Sequence, residues 1–589
     1  MADIVHARDD QSIVGAGRSA VPHQTGAADR RNEPPRTDAG TLTLHWLVAT
    51  AFIVSLLTGI RIAADSPTAV VSKWLSPILP QGEIWTWHFF SGLSLFFCGS
   101  AYLLYMRRSG LTRRVAFKKL RVFVLPAANK LRYGALNVVL HWALYALVVF
   151  MTVTGIVLYL GYGNWWVYLH STAAFISLTY IFVHVVAHYL YGGWWQIFRV
   201  FRPARLVVTR AVQPRPLLIG AVVGVAVTGA IAGVDWATRD TLVMRHVTTA
   251  PDPARLLDDP VWADIAPVRI HTQQGINLGG TGESLVEIRA VHDGHKAYFA
   301  FRWEDPTRSV RREPLIKRAD GWHIIADNTF IDDVTTFYED KFSIIFSPTA
   351  AFGSGGVAHF GPRPLGDNAK HSRNGRGLHY TDGTMVDMWQ WKASRGGLLG
   401  EVDDMYIGPP HEPTEKEVAQ VNRYQGGYWG DPGDAPYTYN FKLYRPSEYH
   451  GGPVEILRLP KDYRAINKAM GSWNPEPGGS VDDGSKWWMF LDETVPYSKE
   501  EDAKIPVDTI IPAVLITGKH EGDRYDVKCA AHWADGHWTM VASRVLDTGS
   551  KYDQPFLPGY DLYMWVAVFD HTQTRHTRHP RPARLVVEE

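Results

Sequence analysis

The sequence is poor in cysteine, and this scarcity excludes several kinds of redox centre. Cys98 lies in an apolar run, and Cys529 lies far from it in the chain. Two cysteines are too few for an iron–sulfur cluster, which takes about four cysteine ligands, and for a disulfide framework. The C-x-x-C-H motif for covalent attachment of c-type haem is also absent. Any haem in this chain must therefore be bound non-covalently.

Excess charge, the apolar core of a signal peptide and common catalytic motifs are lacking as well. The formal net charge of +1 gives no indication of nucleic-acid binding. Residues 1–40 are polar and have no apolar core of a signal peptide, so we interpret them as a disordered cytoplasmic tail. The sequence shows no nucleophile triad, H-E-x-x-H motif or dinucleotide fingerprint.

Long apolar runs dominate the chain up to about residue 236, and they predict a membrane half. Five segments are near the ~20 residues that a helix needs to cross a bilayer. These segments are 42–62, 84–106, 135–160, 165–191 and 216–235. Five crossings place the two ends of the chain on opposite sides of the membrane.

Basic residues in the loops predict the orientation. The loop after the second span carries nine Lys and Arg residues and no acidic residue, and the loop after the fourth span carries five Arg residues. Such loops belong in the cytoplasm. We therefore expect a cytoplasmic N-terminus in a bacterial inner (cytoplasmic) membrane and a C-terminal domain in the periplasm.

Four histidines lie at two matched depths in these spans. His170 and His184 are fourteen residues apart, which puts them on one helix face within about 40° and roughly 21 Å apart along the axis. His45 begins the first span on the inner side, and His88 begins the second on the outer side. Depth pairs His45 with His184 and His88 with His170. Because imidazole is a standard axial ligand and ionisable residues in spans are usually functional, we predict two stacked haems.

An internal repeat leaves alternatives for the inner pair. Leu140-His141-Trp142 and Thr154-Gly155-Ile156 repeat Leu44-His45-Trp46 and Thr58-Gly59-Ile60 at an offset of 96 residues. His141 is therefore an alternative to His45, and His188, one turn after His184, is an alternative to His184. The fifth span has small residues at Gly220, Gly224 and Gly229 that allow close helix packing, although a simple tether is the plainer interpretation.

These motifs resemble a known family over about residues 41–192, namely the bacterial di-haem cytochrome b of the cytochrome b561, nickel-hydrogenase and formate dehydrogenase membrane-subunit type. The shared motifs are H-W at the start of spans one and three, T-G near their ends, H-x-x-x-G from His88 to Gly92, and the paired histidines of span four. By resemblance, His45 and His184 would bind the inner haem iron, and His88 and His170 the outer one. The family also oxidises or reduces quinones.

Beyond a basic loop with the fifth span (193–236) and a linker (237–254), short alternating segments predict a periplasmic domain over 255–589. The strings at 286–291, 297–303 and 341–346 have period two and are separated by turn residues, which indicates strands. His292-Asp293-Gly294-His295 and Asp535-Gly536 are typical of hairpin turns. We predict a mainly-β sandwich with long insertions between about 360 and 510, following a membrane all-α four-helix haem bundle and a fifth, tethering helix.

Strings in this outer half resemble the ethylbenzene-dehydrogenase-type haem-binding domain. They are V-E-I-R-A-V-H-D-G, F-R-W-E-D-P-T-R-S, M-W-Q-W-K-A and V-A-V-F-D. The resemblance implies a third b haem, held by a sulfur or nitrogen ligand from a mid-domain loop and a basic ligand near the C-terminus. The family's Met and Lys ligands have no secure matches, because Met385 and Met388 fall at a strand edge. We favour His359 and His576 as ligands, with rivals at His271, His379, His571 and His579.

A cluster of acids at Glu401, Asp403 and Asp404 has two interpretations. It would suit a hard cation, but we expect a solvated loop.

Together these features predict the electron-transfer component of a respiratory oxidoreductase, linking quinone or quinol through two membrane haems to an outer b-haem domain and a periplasmic redox partner, such as a cytochrome or an oxidoreductase subunit. Two rivals remain. One is a membrane-anchored sensory or ligand-binding sandwich without a third haem. The other is a quinone-linked oxidoreductase whose outer haem has an open site for substrate.

Overall fold

A computed structural model describes most of the chain from Thr37 onward. The described residues are 37–64, 74–75, 78–80, 84–124, 126–160, 164–204, 214–273, 278, 282–325, 334–350, 379–381, 383–409, 411–418, 426–443, 451–471, 484–577, 579 and 581–589. Residues 1–36 of the predicted tail (1–40) and the predicted ligand His359 lie outside these residues, whereas residues 37–40 form a short strand and the start of the first long helix.

The five predicted membrane spans are confirmed as long apolar helices. We number them α1 to α5, and they comprise Ala39–Ala64, Ile84–Arg108, Asn129–Tyr159, Asn164–Phe198 and Pro214–Thr238. Each contains a window apolar enough to cross a membrane. The basic loop between α2 and α3 forms two short 3-10 turns, Leu111–Val115 and Phe117–Phe123.

Two glycine positions shape the helices. Helix α4 breaks at Gly192 and Gly193, where Gly193 has φ 65°, a backbone conformation that residues with a Cβ rarely adopt. The break comes directly after the predicted end of the fourth span. Helix α5 packs on α2, since a Cβ at Gly220 would lie 3.0 Å from the Cβ of Ala101. The fifth helix is therefore packed through its glycine face as well as being a tether.

Twelve strands form one continuous sheet in the outer half. We number them β1 to β12 in chain order, and they comprise Thr241–His246, Val268–Thr272, Ser284–His292, Lys296–Glu304, Lys341–Ser347, Val386–Lys392, Asp403–Ile407, Tyr428–Gly430, Lys528–Ala534, His537–Val545, Leu562–Phe569 and Ala583–Val587. Their order is β8-β7-β6-β5-β11-β12-β1-β3-β4-β10-β9, with β2 also paired to β3. The pairs β12–β1 and β1–β3 are parallel, and the others are antiparallel.

The sheet curls so that its two halves face each other, which confirms the predicted sandwich. Four strands separate β5 from β4 in the sheet order, yet Trp303 of β4 stacks on Phe342 of β5 with ring centroids 4.3 Å apart. Phe299 and Phe346 are likewise 5.4 Å apart. All four rings are fully buried in the main core. Strands β12 and β1 are the seam that joins the two halves.

Local sequence signals explain the hairpins. The turn between β9 and β10 is Asp535-Gly536, and both residues have positive φ, at 49° and 74°. This is the backbone of a type I′ turn, which Asp-Gly favours because it matches the twist of the flanking strands. The turn predicted at 292–295 joins β3 to β4.

The remaining elements lie mostly in the insertions. They are the strands Thr37–Asp38, Pro203–Ala204, Leu315–Arg318, Gly321–Ile324, Tyr437–Tyr439, Arg458–Pro460, Met489–Phe490, Thr494–Pro496, Ile510–Ile511 and Val514–Ile516, the helices Glu415–Val418, Tyr463–Met470 and Lys499–Asp502, and the 3-10 turns Arg199–Phe201, Pro253–Asp258, Pro260–Trp262, Gly397–Leu399, Leu491–Glu493 and Gly522–Tyr525.

The segment 237–254, predicted as a linker, contains strand β1 of the sheet. Its six residues pair with β12 and β3, partners that are distant in the sequence, so local signals were too weak to predict a strand there.

Candidate functional site

The two outer histidines are each held by a threonine of the T-G motif. Thr58 Oγ1 lies 3.0 Å from Nδ1 of His88, and Thr154 Oγ1 lies 2.8 Å from Nδ1 of His170. Both threonines are buried, and Thr154 also donates its hydroxyl hydrogen to the carbonyl of Phe150 at 2.9 Å. Its oxygen is then an acceptor toward the ring, so His170 carries its proton on Nδ1 and would bind a metal through Nε2. This is the partner that orients and tunes a metal-binding histidine.

The glycine of the first T-G motif makes room for the same ring. A Cβ at Gly59 would lie 3.0 Å from Cε1 of His88, tighter than side chains normally tolerate. The first T-G motif thus places a threonine hydroxyl and the space left by a glycine side by side against His88. The sequence repeat revealed the T-G motif but did not reveal its contact with the histidine ring.

Four histidines gather at the inner level, where the sequence predicted a pair. The rings of His141 and His184 have centroids 6.0 Å apart, and those of His184 and His188 are 4.6 Å apart. His45 lies within electrostatic range of the other three. The predicted ligands His45 and His184 are therefore brought together, and so are their alternatives.

Each inner histidine on α3 and α4 has a partner on its Nδ1 atom. The carbonyl of Asn137 lies 2.6 Å from Nδ1 of His141, Tyr180 Oη lies 3.4 Å from Nδ1 of His184, and Gln196 Nε2 lies 3.5 Å from Nδ1 of His188. The ring of Tyr180 also stacks on His184 at 5.4 Å. The shortest of these bonds belongs to His141, so it remains an alternative to His45.

The structure places the histidines predicted as ligands of the outer-domain haem in different local settings. His576 follows β11, with its Nδ1 2.7 Å from the carbonyl of Thr577 and its ring 4.9 Å from that of Phe569. His271 is exposed on β2, a setting unsuited to a buried haem. The partner predicted for His576, His359, lies outside the described residues.

The rival His579 has both ring nitrogens occupied. Nδ1 lies 2.8 Å from the carbonyl of Arg581, and Nε2 accepts the backbone N–H of Val566 at 3.0 Å. Burial lowers the pKa of His579 to about 4, so the ring is neutral at pH 7. This histidine is a structural link between β11 and the start of β12.

The rival His571 is tied to neighbouring acids. It is buried, its Nδ1 is hydrogen-bonded to the carboxylate of Asp570, and its backbone N–H donates to Asp340 at 3.0 Å.

A second apolar cluster lies on the face of the sheet opposite the main core, and sequence reasoning missed it. It contains Met388 of β6 and Met405 of β7, which pair in register, together with Trp565. Tyr428 donates its hydroxyl to the sulfur of Met405 at 3.4 Å, and its ring lies 6.0 Å from that of His379. Met388 is inside a central strand and not at an edge. The rival His379 is thus beside a cluster that offers two thioether sulfurs.

The acids at 401–404 are buried, so the expectation of a solvated loop was wrong. Asp403 pairs with Lys392 and Arg524. Burial acts to raise the pKa of Asp403, but these two charges outweigh it and hold the pKa well below its usual range. Its neighbour Asp404 alternates to the other face of β7 and meets a different set of groups.

Two known protein families match different parts of the chain. Residues 36–203 match the family of prokaryotic cytochrome b561, and residues 259–581, more than half of the chain, match the ethylbenzene dehydrogenase family. The chain belongs to the ethylbenzene dehydrogenase family, with a cytochrome b561 membrane part. Both resemblances seen in the sequence are confirmed.

Other comparisons add little. No curated protein matches the chain. Among solved structures, a family 9 carbohydrate-binding module from Caldicellulosiruptor kristjanssonii in complex with cellotriose is 7% identical, with a TM-score of 0.20, covering 59% of this chain and 93% of that one. A putative carbohydrate-binding protein from Bacteroides uniformis ATCC 8492 is 9% identical, with a TM-score of 0.22, covering 60% and 100%.

The cytochrome b561 part makes this a membrane electron-transfer protein with b-type haems. The histidines described above fit such a group, since the outer two have their Nδ1 atoms engaged as ligating histidines do. The ethylbenzene dehydrogenase-type domain fits a redox function.

Proposed function

We propose that this protein passes electrons between the quinone pool and its ethylbenzene dehydrogenase-type domain by way of two stacked membrane haems. The electron route runs from the inner histidine site to the outer one and then to the outer domain, whose redox partner is a periplasmic cytochrome or oxidoreductase subunit. The basic loops after α2 and α4 support a cytoplasmic N-terminus and a periplasmic outer domain in a bacterial inner membrane.

The observation that carries this proposal is the pair of threonine–histidine contacts. Two helices of a repeated sequence present the same hydroxyl to the same ring nitrogen of two different histidines. Polar side chains inside membrane spans cost free energy, so recurrence of the same threonine–histidine contact points to a function. Its repetition supports a role for both threonines in orienting metal-binding histidines. The proposed assignment is His88 with His170 for the outer haem and His45 with His184 for the inner haem.

A third b haem in the outer domain is part of the proposal. His576 suits one ligand, since a backbone carbonyl holds its Nδ1 and directs Nε2 to coordination. We keep His359 as its partner, and the cluster of Met388 and Met405 near His379 supplies the alternative. When bound, haem supplies one-electron chemistry, and the protein sets its potential through ligation and burial.

Haem stoichiometry tests the outer half of the proposal. A pyridine haemochrome assay on purified full-length protein should give three b haems per chain. A value of two would refute the third haem and favour the sensory sandwich. If the outer haem binds carbon monoxide readily when reduced, its coordination site is open, and the protein is an oxidoreductase acting on substrate there.

Ligand variants test the membrane half. His88→Ala and His170→Ala should remove the same haem, whereas His45→Ala and His184→Ala should remove the other one, as read from redox-titrated spectra. The exposed hairpin residue His295 is a matched control, and His295→Ala should retain every haem. Loss of the inner haem in His141→Ala, with its retention in His45→Ala, would refute our inner pair.

A further inference from the structure

Four buried aspartates of the outer domain lie within electrostatic range of one another. Asp387 lies on β6, Asp404 on β7, Asp431 directly after β8, and Asp553 in the connection between β10 and β11. Their exposed fractions are 0%, 0%, 2% and 7%. One oxygen from each of Asp387, Asp404 and Asp553 lies within 4.8 Å of the other two. We refer to these four residues as the acidic pocket.

Three of the carboxylates are held by one oxygen and present the other. One oxygen of Asp387 accepts a hydrogen bond from the backbone N–H of Gln554 at 3.0 Å. One oxygen of Asp404 accepts from the backbone N–H of Met405 at 3.1 Å, and one oxygen of Asp553 accepts from the hydroxyl of Thr548 at 2.5 Å. The second oxygen of each carboxylate has no hydrogen-bond donor among the described residues. Such anchoring fixes the direction in which the second oxygens point.

Asp431 is the observation that points to a ligand. Neither of its carboxylate oxygens has a donor in the part of the chain that the structure describes, although the side chain is buried. The carboxyl group faces that of Asp553, with which it hydrogen-bonds when one of the two is protonated, and the backbone N–H of Asp431 donates to the carbonyl of Asp404 at 3.1 Å. A buried carboxylate without any donor is costly unless another group satisfies it.

The pocket has too little positive charge to balance its acids. Arg544 is fully buried, and its Nη1 lies 2.8 Å from Asp387, 3.4 Å from Asp553 and 3.7 Å from Asp404. Among the described residues, it is the cationic side chain that forms ion pairs with these acids. One guanidinium cannot neutralise four ionised carboxylates, so the pocket keeps an excess of negative charge that a bound cation would balance.

We propose that the acidic pocket binds one calcium ion. All of the available atoms are hard carboxylate oxygens, which suit Ca²⁺ and Mg²⁺ and disfavour softer metals. A dedicated cage of several protein carboxylates favours Ca²⁺, because Mg²⁺ keeps most of its waters and uses one or two carboxylates. The ion would tie three neighbouring strands to the connection that follows β10. This proposal does not depend on the electron-transfer route.

Calcium binding to the purified full-length protein in detergent tests the proposal. After treatment with EGTA and its removal, equilibrium dialysis with radioactive Ca²⁺ should show one ion per chain that excess Mg²⁺ does not displace. Added Ca²⁺ should also raise the unfolding temperature, followed by tryptophan fluorescence, because a ligand that binds only the folded state stabilises it. Trp389 is a suitable reporter, since its ring lies 5.2 Å from the Arg544 guanidinium.

The decisive variant is Asp431→Asn. Because Asp431 accepts no hydrogen bond from a described residue, the amide should leave the metal-free fold and haem spectrum intact while weakening Ca²⁺ binding at least tenfold. Asp526→Asn is the matched control: Asp526 interacts electrostatically with Asp553 but is outside the pocket, so this variant removes the same charge without removing a ligand. It should change the affinity less than threefold.

Four results would overturn the proposal. They are no Ca²⁺ bound by the wild type, tighter binding of Mg²⁺ than of Ca²⁺, equal Ca²⁺ binding by wild type and Asp431→Asn, and equal weakening by Asp431→Asn and Asp526→Asn. The first would mean that protons, and not a metal, neutralise the buried acids.

Discussion

Replacing Thr154 by valine removes a hydroxyl and keeps the shape of the side chain, so it isolates the hydrogen bond to His170. A bond from Nδ1–H to the threonine oxygen makes the imidazole a stronger electron donor, which stabilises the oxidised iron. Its loss should raise the midpoint potential. A hydrogen bond of this kind contributes about 1 kcal/mol, and since 1.4 kcal/mol corresponds to about 59 mV for one electron, the shift should be at most about 40 mV.

A spectroscopic redox titration of the purified protein measures this shift. Thr58→Val should move the same haem component in the same direction, because its oxygen holds His88 at a similar distance, 3.0 Å against 2.8 Å. Thr152→Val is the matched control on the same helix, since its hydroxyl donates to the carbonyl of Val148 at 2.8 Å. It should leave both membrane potentials unchanged.

Two results would refute this reasoning. If Thr58→Val and Thr154→Val shift different haems, then His88 and His170 do not ligate one iron. If Thr152→Val shifts a potential as much as Thr154→Val, the effect comes from general helix perturbation and not from the bond to the ring.

Three further changes test the outer domain by tryptophan-fluorescence melts of the full chain. Phe346→Ala should lower the free energy of unfolding by about 4 kcal/mol, because removal of the fully buried ring would leave a cavity in the core. A decrease below about 1 kcal/mol would contradict the packing described for this ring. His579 has a pKa of about 4 in the folded state and about 6.5 when unfolded, so stability should fall by about 2 kcal/mol from pH 7 to 5. In His579→Gln this loss of stability between pH 7 and 5 should disappear. An unchanged dependence of stability on pH in that variant would refute the role of His579. Arg581→Lys should cost about 1–3 kcal/mol, because Arg581 bonds the carboxylate and the carbonyl of Asp235 at 2.9 and 2.6 Å; an unaltered melt would show that this ion pair is dispensable.

The membrane half could be predicted from sequence because its signals are local. A continuous apolar run of sufficient length specifies a membrane helix, and the break at Gly193 follows the predicted end of the fourth span. The inner ligands could not be narrowed to two, since His141 and His188 lie at the same level as His45 and His184 and local patterns do not distinguish them.

The acidic pocket was harder to predict from the sequence than the membrane helices, because its residues come from distant parts of the chain. Asp403 and Asp404 are neighbours in sequence, but alternation along β7 sends one to Lys392 and Arg524 and the other to the acidic pocket. A cluster judged from sequence spacing alone therefore mixes two unrelated sites. The partners of Asp404 become visible only when the sheet is assembled.

The pairing of β1 with β12 makes folding of the outer sandwich depend on the rate at which the chain is synthesised. Strand β1 can pair in parallel with β3 once residues 284–292 have been made, but its other parallel neighbour, β12, is made only about 340 residues after β1. At typical elongation rates of ~5–20 residues per second, this interval is about 17 to 70 seconds. Throughout it, an edge strand directly after the last membrane helix is open to pairing with other chains. Protection of that edge during biogenesis would therefore reduce mispairing of the outer domain.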